Sequence, residues 1–414
     1  MLFFKEEQKY IKVYNNENIK INIIIYIIKI GLLFIFIFNV YFFLFDNKFL
    51  LYKKDLNFYK KYLFDCKKKK KIYFKEETNN NYPYYSIVLP AYNSEKYIES
   101  TIISILNQSF RQFEIIIVND CSNDETQNII QRFQLQFSKI KIINHSINFG
   151  IYKSRVEGVL NSSGIYIIFI DSDDFFLNPF LFQKIYEFNS GYNLDIIEFI
   201  VLYQEEGKRN FYTPNDHKLN HFHNFMDKII YQPKLSNILF YEPGTLISSE
   251  VICRTVWSKI NRKDILLKTI KFIGEENSQI LYFNYGEDTI MNILNFQFSN
   301  NYTNINIPGY MYTLRKVSIS HSNLGIENDI TISQNFFIYF KLFYRYIKHF
   351  NKNMNYFLIE LTKYKNYLIK LKENNSTKYI LEANQFFNNI IKDKNISNDL
   401  KIFIFNLSLI FKVK

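Results

Sequence analysis

Three polar clusters stand where apolar runs stop. Pro90, Ala91 and Tyr92 close the run Tyr85-Ser86-Ile87-Val88-Leu89. Asn119 and Asp120 close Phe113-Glu114-Ile115-Ile116-Ile117-Val118, and Asp171-Ser172-Asp173-Asp174 closes Ile165-Tyr166-Ile167-Ile168-Phe169-Ile170. Carboxylates spaced Asp-x-Asp offer oxygen donors to a hard divalent cation, and Mg²⁺ or Mn²⁺ commonly bridges one or two carboxylates to substrate phosphates. Such a cation acts there as a Lewis acid. The plain alternative is a set of solvated turn acids, because Asp is frequent in turns. A fourth cluster, Tyr285-Gly286-Glu287-Asp288, opens a segment with Ile290, Met291, Ile293 and Leu294 at helical spacing. A carboxylate at a helix N-terminus is stabilised by the helix dipole and can be aimed into a cleft. On pattern alone, an ordinary helix-start acid is the readier explanation.

The elements that must position these clusters alternate between strand and helix. After the first run, Ser94 offers an N-cap, and Ile98, Ile102, Ile105 and Leu106 fall on one helix face. An amphipathic stretch over 125–137 follows the second run. Next come a short strand over 141–144, a loop containing Asn148-Phe149-Gly150, and a helix with Arg155 near its start. Strands that are apolar throughout belong to a parallel sheet covered on both faces. Open sheets of that kind bind ligands at the carboxyl ends of their strands. All three polar strand ends fall on that edge.

The chain has 414 residues, with 51 Lys and Arg against 39 Asp and Glu, a net charge of +12. The excess is not spread evenly. Residues 46–75 hold 11 Lys against 3 Asp, and residues 326–414 hold 14 basic against 7 acidic residues. The intervening 76–325 holds 21 basic against 26 acidic residues, so no basic groove for a nucleic-acid backbone is expected there. The three cysteines, Cys66, Cys121 and Cys253, are too few and too far apart for a disulfide framework or an all-Cys zinc site.

Five zones follow. Residues 1–20 form a short tail. Residues 21–45, of which 19 are Ile, Leu, Val or Phe, predict a transmembrane helix about 37 Å long. Residues 46–83 read as a basic stem or linker, and residues 84–325 hold the α/β module. Residues 326–414 read as a helical extension, with Phe337, Phe340, Leu342, Phe343, Tyr346 and Ile347 as its apolar stripe.

The segments YSIVLPAYNSEKYIESTIISILNQSFRQFEIIIVNDCSNDET and NFGIYKSRVEGVLNSSGIYIIFIDSDDFFLNP closely resemble family-2 glycosyltransferases. The resemblance implies a GT-A fold: a Rossmann-like, mostly parallel sheet with helices on both faces. It also implies an inverting transfer from a nucleotide-diphosphate sugar, with UDP the favoured nucleotide. Pro90, Ala91, Tyr92, Asp120, Arg155, Asp171, Ser172 and Arg315 would then bind the nucleotide sugar, with Asp120 on the base and Asp171 near the ribose. Asp171, with Asp173 or Asp174, would hold the Mn²⁺ or Mg²⁺, and Asp288 would be the general base. Where the family often has two acids, this chain has Asn119-Asp120. Trp257 would stack on a sugar or fill the core. Arg315, in the block resembling Tyr-x-Tyr…Arg…Ser-x-Ser, would meet the diphosphate or make a surface ion pair. His321 is a further candidate for the metal.

The expected partners are a nucleotide-diphosphate sugar, a glycan, lipid or protein hydroxyl acceptor, and the membrane bilayer, with no nucleic acid. A short tail, one span, a stem and such a domain together favour a single-pass protein of the endoplasmic reticulum or Golgi membrane. The lysines after the span argue for a cytosolic domain, so the facing stays open. The rival reading is a catalytically inactive GT-A pseudoenzyme that binds nucleotide or glycan as a scaffold.

Overall fold

In the computed structural model the described residues are 82–207, 211–212, 229–232, 255–274, 283–315, 326–350, 352, 377–393, 401–402 and 404–405. The first half follows the alternation read from the sequence: β1 Tyr85–Ala91, α1 Ile98–Leu106, β2 Phe113–Asn119, α2 Thr126–Gln134, β3 Ile140–Asn144, α3 Ile151–Leu160 and β4 Tyr166–Phe169. β5 Phe175–Phe176, α4 Leu181–Asn189, β6 Ile196–Glu205, β7 Phe211–Tyr212 and β8 Ile230–Tyr231 come next. β9 Lys259–Arg262, α5 Lys263–Gly274, α6 Glu287–Phe298 and β10 Asn301–Leu314 follow. α7 Ile326–His349 and α8 Thr377–Lys392 lie in the C-terminal zone.

The strands form one sheet in the order β3-β2-β1-β4-β9-β6-β10-β5, with β7 beside β6 and β8 beside β10. β1, β2, β3 and β4 pair in parallel, as do β6 and β10. The expectation of a mostly parallel sheet needs correction in the second half. β9 lies antiparallel between β4 and β6, and β5, β7 and β8 also pair antiparallel. β9 escaped the sequence reading because Lys-Ile-Asn-Arg is short and polar. Its Lys259 is fully buried, where Nζ donates to the Thr255 carbonyl at 2.8 Å and pairs with Glu198 at 3.4 Å.

Every residue of β1 and β2 is buried, yet their side chains divide between two cores. Val88, Ile167 and Phe169 face one core with Val156, Leu266, Met291 and Phe340. Ile87, Leu89, Ile168 and Ile170 face the other with Ile98, Ile102, Phe182 and Ile185. Strand side chains alternate between faces, so a continuous apolar run is what a doubly covered strand requires. Gly164 shows how closely the chain passes: a Cβ there would sit 2.7 Å from the Ser86 backbone nitrogen. The predicted stripe of α7, from Phe337 to Ile347, packs into the first core.

Candidate active site

The parallel strand ends, the start of α3 and the start of α6 enclose a cavity of about 390 Å³. Pro90, Ala91, Tyr92, Asp120, Arg155, Asp171, Ser172, Asp173, Asp288 and Arg315 all line it, as do Trp257 and Glu287. Positions as distant as 90 and 315 thus share one wall. The exception among the sequence-predicted residues is Asp174. It is fully buried beneath the site, where Tyr310 Oη donates to Oδ2 at 2.7 Å and the Thr313 N–H to Oδ1 at 2.8 Å. Asp174, absent from the cavity lining and accepting from a protein donor at each oxygen, braces β10 against the Asp171–Asp174 turn.

Arg155 is the centre of the site. It projects from α3 and is buried to 1% exposure. One terminal nitrogen donates to Glu287 Oε1 at 3.1 Å and also to Asp288 Oδ1; the other donates to Asp171 Oδ1 at 3.0 Å. α6 can present both acids because Gly286, at φ 82°, occupies the left-handed region just before it. Three carboxylates raise the Arg155 pKa despite the opposing effect of burial. Burial pushes Glu287 up to about 8, with the Asp288 charge adding to the rise and Arg155 opposing it. Asp171 is raised by burial, against the pull of Arg155.

Asp173 forms an ion pair with Arg315, whose guanidinium lies over the Tyr97 ring at 5.1 Å. Of the two roles expected for Arg315, the ion pair is present, and it lies on the cavity wall. Burial and the Asp171 charge lift Asp173 to about 6, against the pull of Arg315. Ser172 Oγ lies 2.6 Å from Ser94 Oγ. Ser94 therefore does not cap α1, whose N-cap position is taken by Tyr97. Trp257 is buried at 6% exposure and stacks on Tyr310 and Tyr312 at 5.1 and 5.2 Å, so the indole serves the core as well as the cavity wall.

The donor set suits a hard cation. Five carboxylates (Asp120, Asp171, Asp173, Glu287 and Asp288) line the cavity against two guanidiniums. Burial and the nearby Asp171 charge both disfavour ionised Asp173, a cost that a cation beside the two carboxylates would offset. Among the described residues no group of three or more His, Cys, Asp and Glu side chains is preassembled around a metal position. Asp171 and Asp173 alone match the one or two carboxylates with which Mg²⁺ sites share the ion with phosphate oxygens. His321, the other metal candidate, lies outside the described residues, as do His217, His221 and His223.

Asp120 accepts from His145 Nδ1 at 2.7 Å, from the Phe149 N–H at 2.7 Å and from the Gly150 N–H at 2.8 Å. Sequence reading missed His145, whose Nε2 meets Glu157 at 2.9 Å. A lone histidine after a strand carries no local signal of two carboxylate partners. Asn284 was missed too: its Oδ1 accepts the Ile151 N–H at 2.8 Å and ties the start of α3 to the loop before α6.

Residues 86–255 match the family model described as Glycosyl transferase family 2. The chain is 26% identical over 215 residues to the uncharacterized glycosyltransferase EpsJ of Bacillus subtilis (strain 168), which covers 52% of this chain and 56% of that protein. It is 32% identical over 111 residues to the GalNAc(5)-diNAcBac-PP-undecaprenol beta-1,3-glucosyltransferase of Campylobacter jejuni, covering 27% of this chain and 36% of that one. The match thus spans about a third to a little over half of these relatives' length. A crystal structure of S. aureus TarS 1–349 in complex with UDP covers 79% of this chain and 87% of that one, at 17% identity and a TM-score of 0.45.

The expected endoplasmic reticulum or Golgi location is overturned by the relatives named above, which are bacterial, from cells without those organelles. Among the described residues no helix is long and apolar enough to cross a membrane. Residues 21–45, where the transmembrane helix was expected, lie outside the described residues.

Proposed function

This chain carries a family-2 glycosyltransferase domain, and we propose that it moves a sugar from a nucleotide-diphosphate donor, UDP-linked, to a hydroxyl acceptor with inversion. We read the sheet and its flanking helices as a GT-A fold. The observation that carries the reading is the convergence of Asp171 and Asp288 on one guanidinium, Arg155, inside a single cavity. An acid of the Asp171–Asp174 turn and an acid at the start of α6 are thereby held in a fixed relation.

In the proposed reaction the acceptor hydroxyl oxygen attacks the anomeric carbon. Its proton passes to the Asp288 carboxylate, and the bond from that carbon to the diphosphate oxygen breaks, releasing the nucleoside diphosphate. Asp171 and Asp173 are the residues that would hold a divalent cation, whose charge neutralises the diphosphate. Arg155 keeps Asp288 oriented. Glu287, holding its proton up to about pH 8, limits the negative charge beside it. The acceptor belongs to the glycan, lipid or protein hydroxyls. A lipid-linked glycan, as named for the Campylobacter jejuni relative, is the first to try.

The scaffold reading is disfavoured because nucleotide or glycan binding alone does not require Asp288 to face the donor-side acids. The test measures transfer, or slow donor hydrolysis, by the wild type and Asp288→Asn with UDP-, GDP- and CDP-sugars. Turnover by the wild type that falls about 10²–10⁴-fold in Asp288→Asn, with nucleotide binding retained, is expected for loss of a general base. Tight nucleotide binding by a wild type that turns over no donor would favour the scaffold.

A further inference from the structure

An ionised carboxylate offers roughly four acceptor sites, two on each oxygen. On Asp120, Oδ1 receives His145 Nδ1 and the Phe149 N–H, and Oδ2 receives the Gly150 N–H. One site on Oδ2 is left. His145 is held in place from its far side: Nε2 meets Glu157 Oε2 at 2.9 Å, and Glu157 is paired with Lys153 at 3.1 Å. The imidazole is 4% exposed, and its ring meets Phe149 edge-on at 5.1 Å. An ionised carboxylate only accepts, so in the 2.7 Å contact with Asp120 the Nδ1 of His145 is the donor.

We propose that His145 is a positioning residue that reduces Asp120 to a single open acceptor site and so selects a uracil-type base over guanine. The proposal rests on the reading of this cavity as a nucleotide-sugar site with Asp120 on the base. A uracil-type base presents one ring N–H between two carbonyls, which one acceptor satisfies. Guanine presents adjacent ring and exocyclic N–H donors, which pair best with both oxygens of one carboxylate. With Oδ1 filled by His145 and Phe149, one guanine donor is left without its partner, and an unpaired polar group in a closed site is what produces strong discrimination. No contact between His145 and the nucleotide is needed.

The experiment is calorimetric titration of UDP and GDP, with Mn²⁺ present, into the full chain as wild type, His145→Leu and His145→Asn. Asn keeps an amide donor near the Nδ1 position, whereas Leu keeps none. The wild type should favour UDP by about tenfold or more. His145→Leu should bring the two affinities to within about threefold of each other, and His145→Asn should stay near the wild type. A His145→Leu protein that discriminates as well as the wild type overturns the proposal, as does a wild type that binds both nucleotides equally. Amide exchange of the ligand-free proteins supplies a second readout. The Phe149 and Gly150 amides, both held by Asp120, should exchange faster in His145→Leu than in His145→Asn. If the wild type binds neither nucleotide, the donor reading fails by itself; equal exchange at those two amides then overturns the role of His145 separately.

Discussion

Arg155 and Asp288 lie 133 residues apart in sequence and are joined by a hydrogen-bonded ion pair in the cavity lining. The same guanidinium holds Asp171 and Glu287, so α3, the Asp171–Asp174 turn and the start of α6 share one cation. Arg155 is the one cation among these three carboxyl groups, of which Glu287 keeps its proton up to about pH 8. Removing Arg155 leaves the partly buried Asp171 and Asp288 carboxylates without their shared partner.

Arg155→Met should therefore destabilise the fold by about 3–5 kcal/mol, the usual result of leaving buried charges unpaired. Arg155→Lys should recover only part of that, because an ammonium cannot reproduce the planar fork. Chemical denaturation of both variants checks the order. Equal stability of wild type and Arg155→Met would show that the cluster contributes nothing to folding.

Asp173 and Asp174 are neighbours with different expected effects. Asp173→Asn should weaken Mn²⁺-dependent UDP binding and leave the melting temperature close to that of the wild type, because its side chain faces the cavity. Asp174→Ala should lower the melting temperature, because the Tyr310 hydroxyl and the Thr313 N–H lose their buried acceptor. Unpaired buried groups of that kind cost about 1–3 kcal/mol each. Thermal melts and UDP titrations with and without Mn²⁺ separate the two residues.

Glu287 makes stability depend on pH. Its folded pKa is about 8, against about 4.3 for an unfolded glutamate. The folded state therefore binds more protons between those values. The contribution of Glu287 is fully present below about pH 4.3 and is lost as pH rises through about 8. Glu287→Gln, which cannot ionise, should flatten the fall in stability across that window. Urea denaturation at a series of pH values measures it, and parallel curves for the two proteins would assign the dependence to another group.

Gly286 has a φ of 82°, and a Cβ there would lie 3.3 Å from the Tyr339 ring. Gly286→Ala should cost about 1–2 kcal/mol, the usual penalty for an L-residue in the left-handed region. It should also slow turnover more than it weakens UDP binding, because the displaced residues are Glu287 and Asp288. Kinetics and titration on the same preparation decide this.

Much of the donor side was legible in sequence because its signals are local. The runs ending at Leu89, Val118 and Ile170 are apolar because both faces of their strands are covered. In a parallel sheet those runs point their ends the same way, so Tyr92, Asp120 and Asp171 had to share an edge. Gly286-Glu287-Asp288 announced a helix start, and the stripe from Phe337 to Ile347 announced a packed helix, each within a few residues of chain.

Tertiary structure alone decided which acids line the cavity and which brace the fold. Asp173 and Asp174 are the same residue type one position apart, yet one turns to the cavity and the other to Tyr310, a partner 136 residues away. No local pattern encodes that choice, because it depends on where β10 lies against the turn. The pairing of Arg155 with Asp288, of Asp173 with Arg315 and of His145 with Asp120 and Glu157 has the same origin. The antiparallel insertion of β9 between β4 and β6 was equally hidden, since the burial of Lys259 depends on Glu198, which lies on another strand. Sequence specifies elements through periodic burial, which is local. The charges that convert a sheet edge into a site find their partners only when distant elements are brought together.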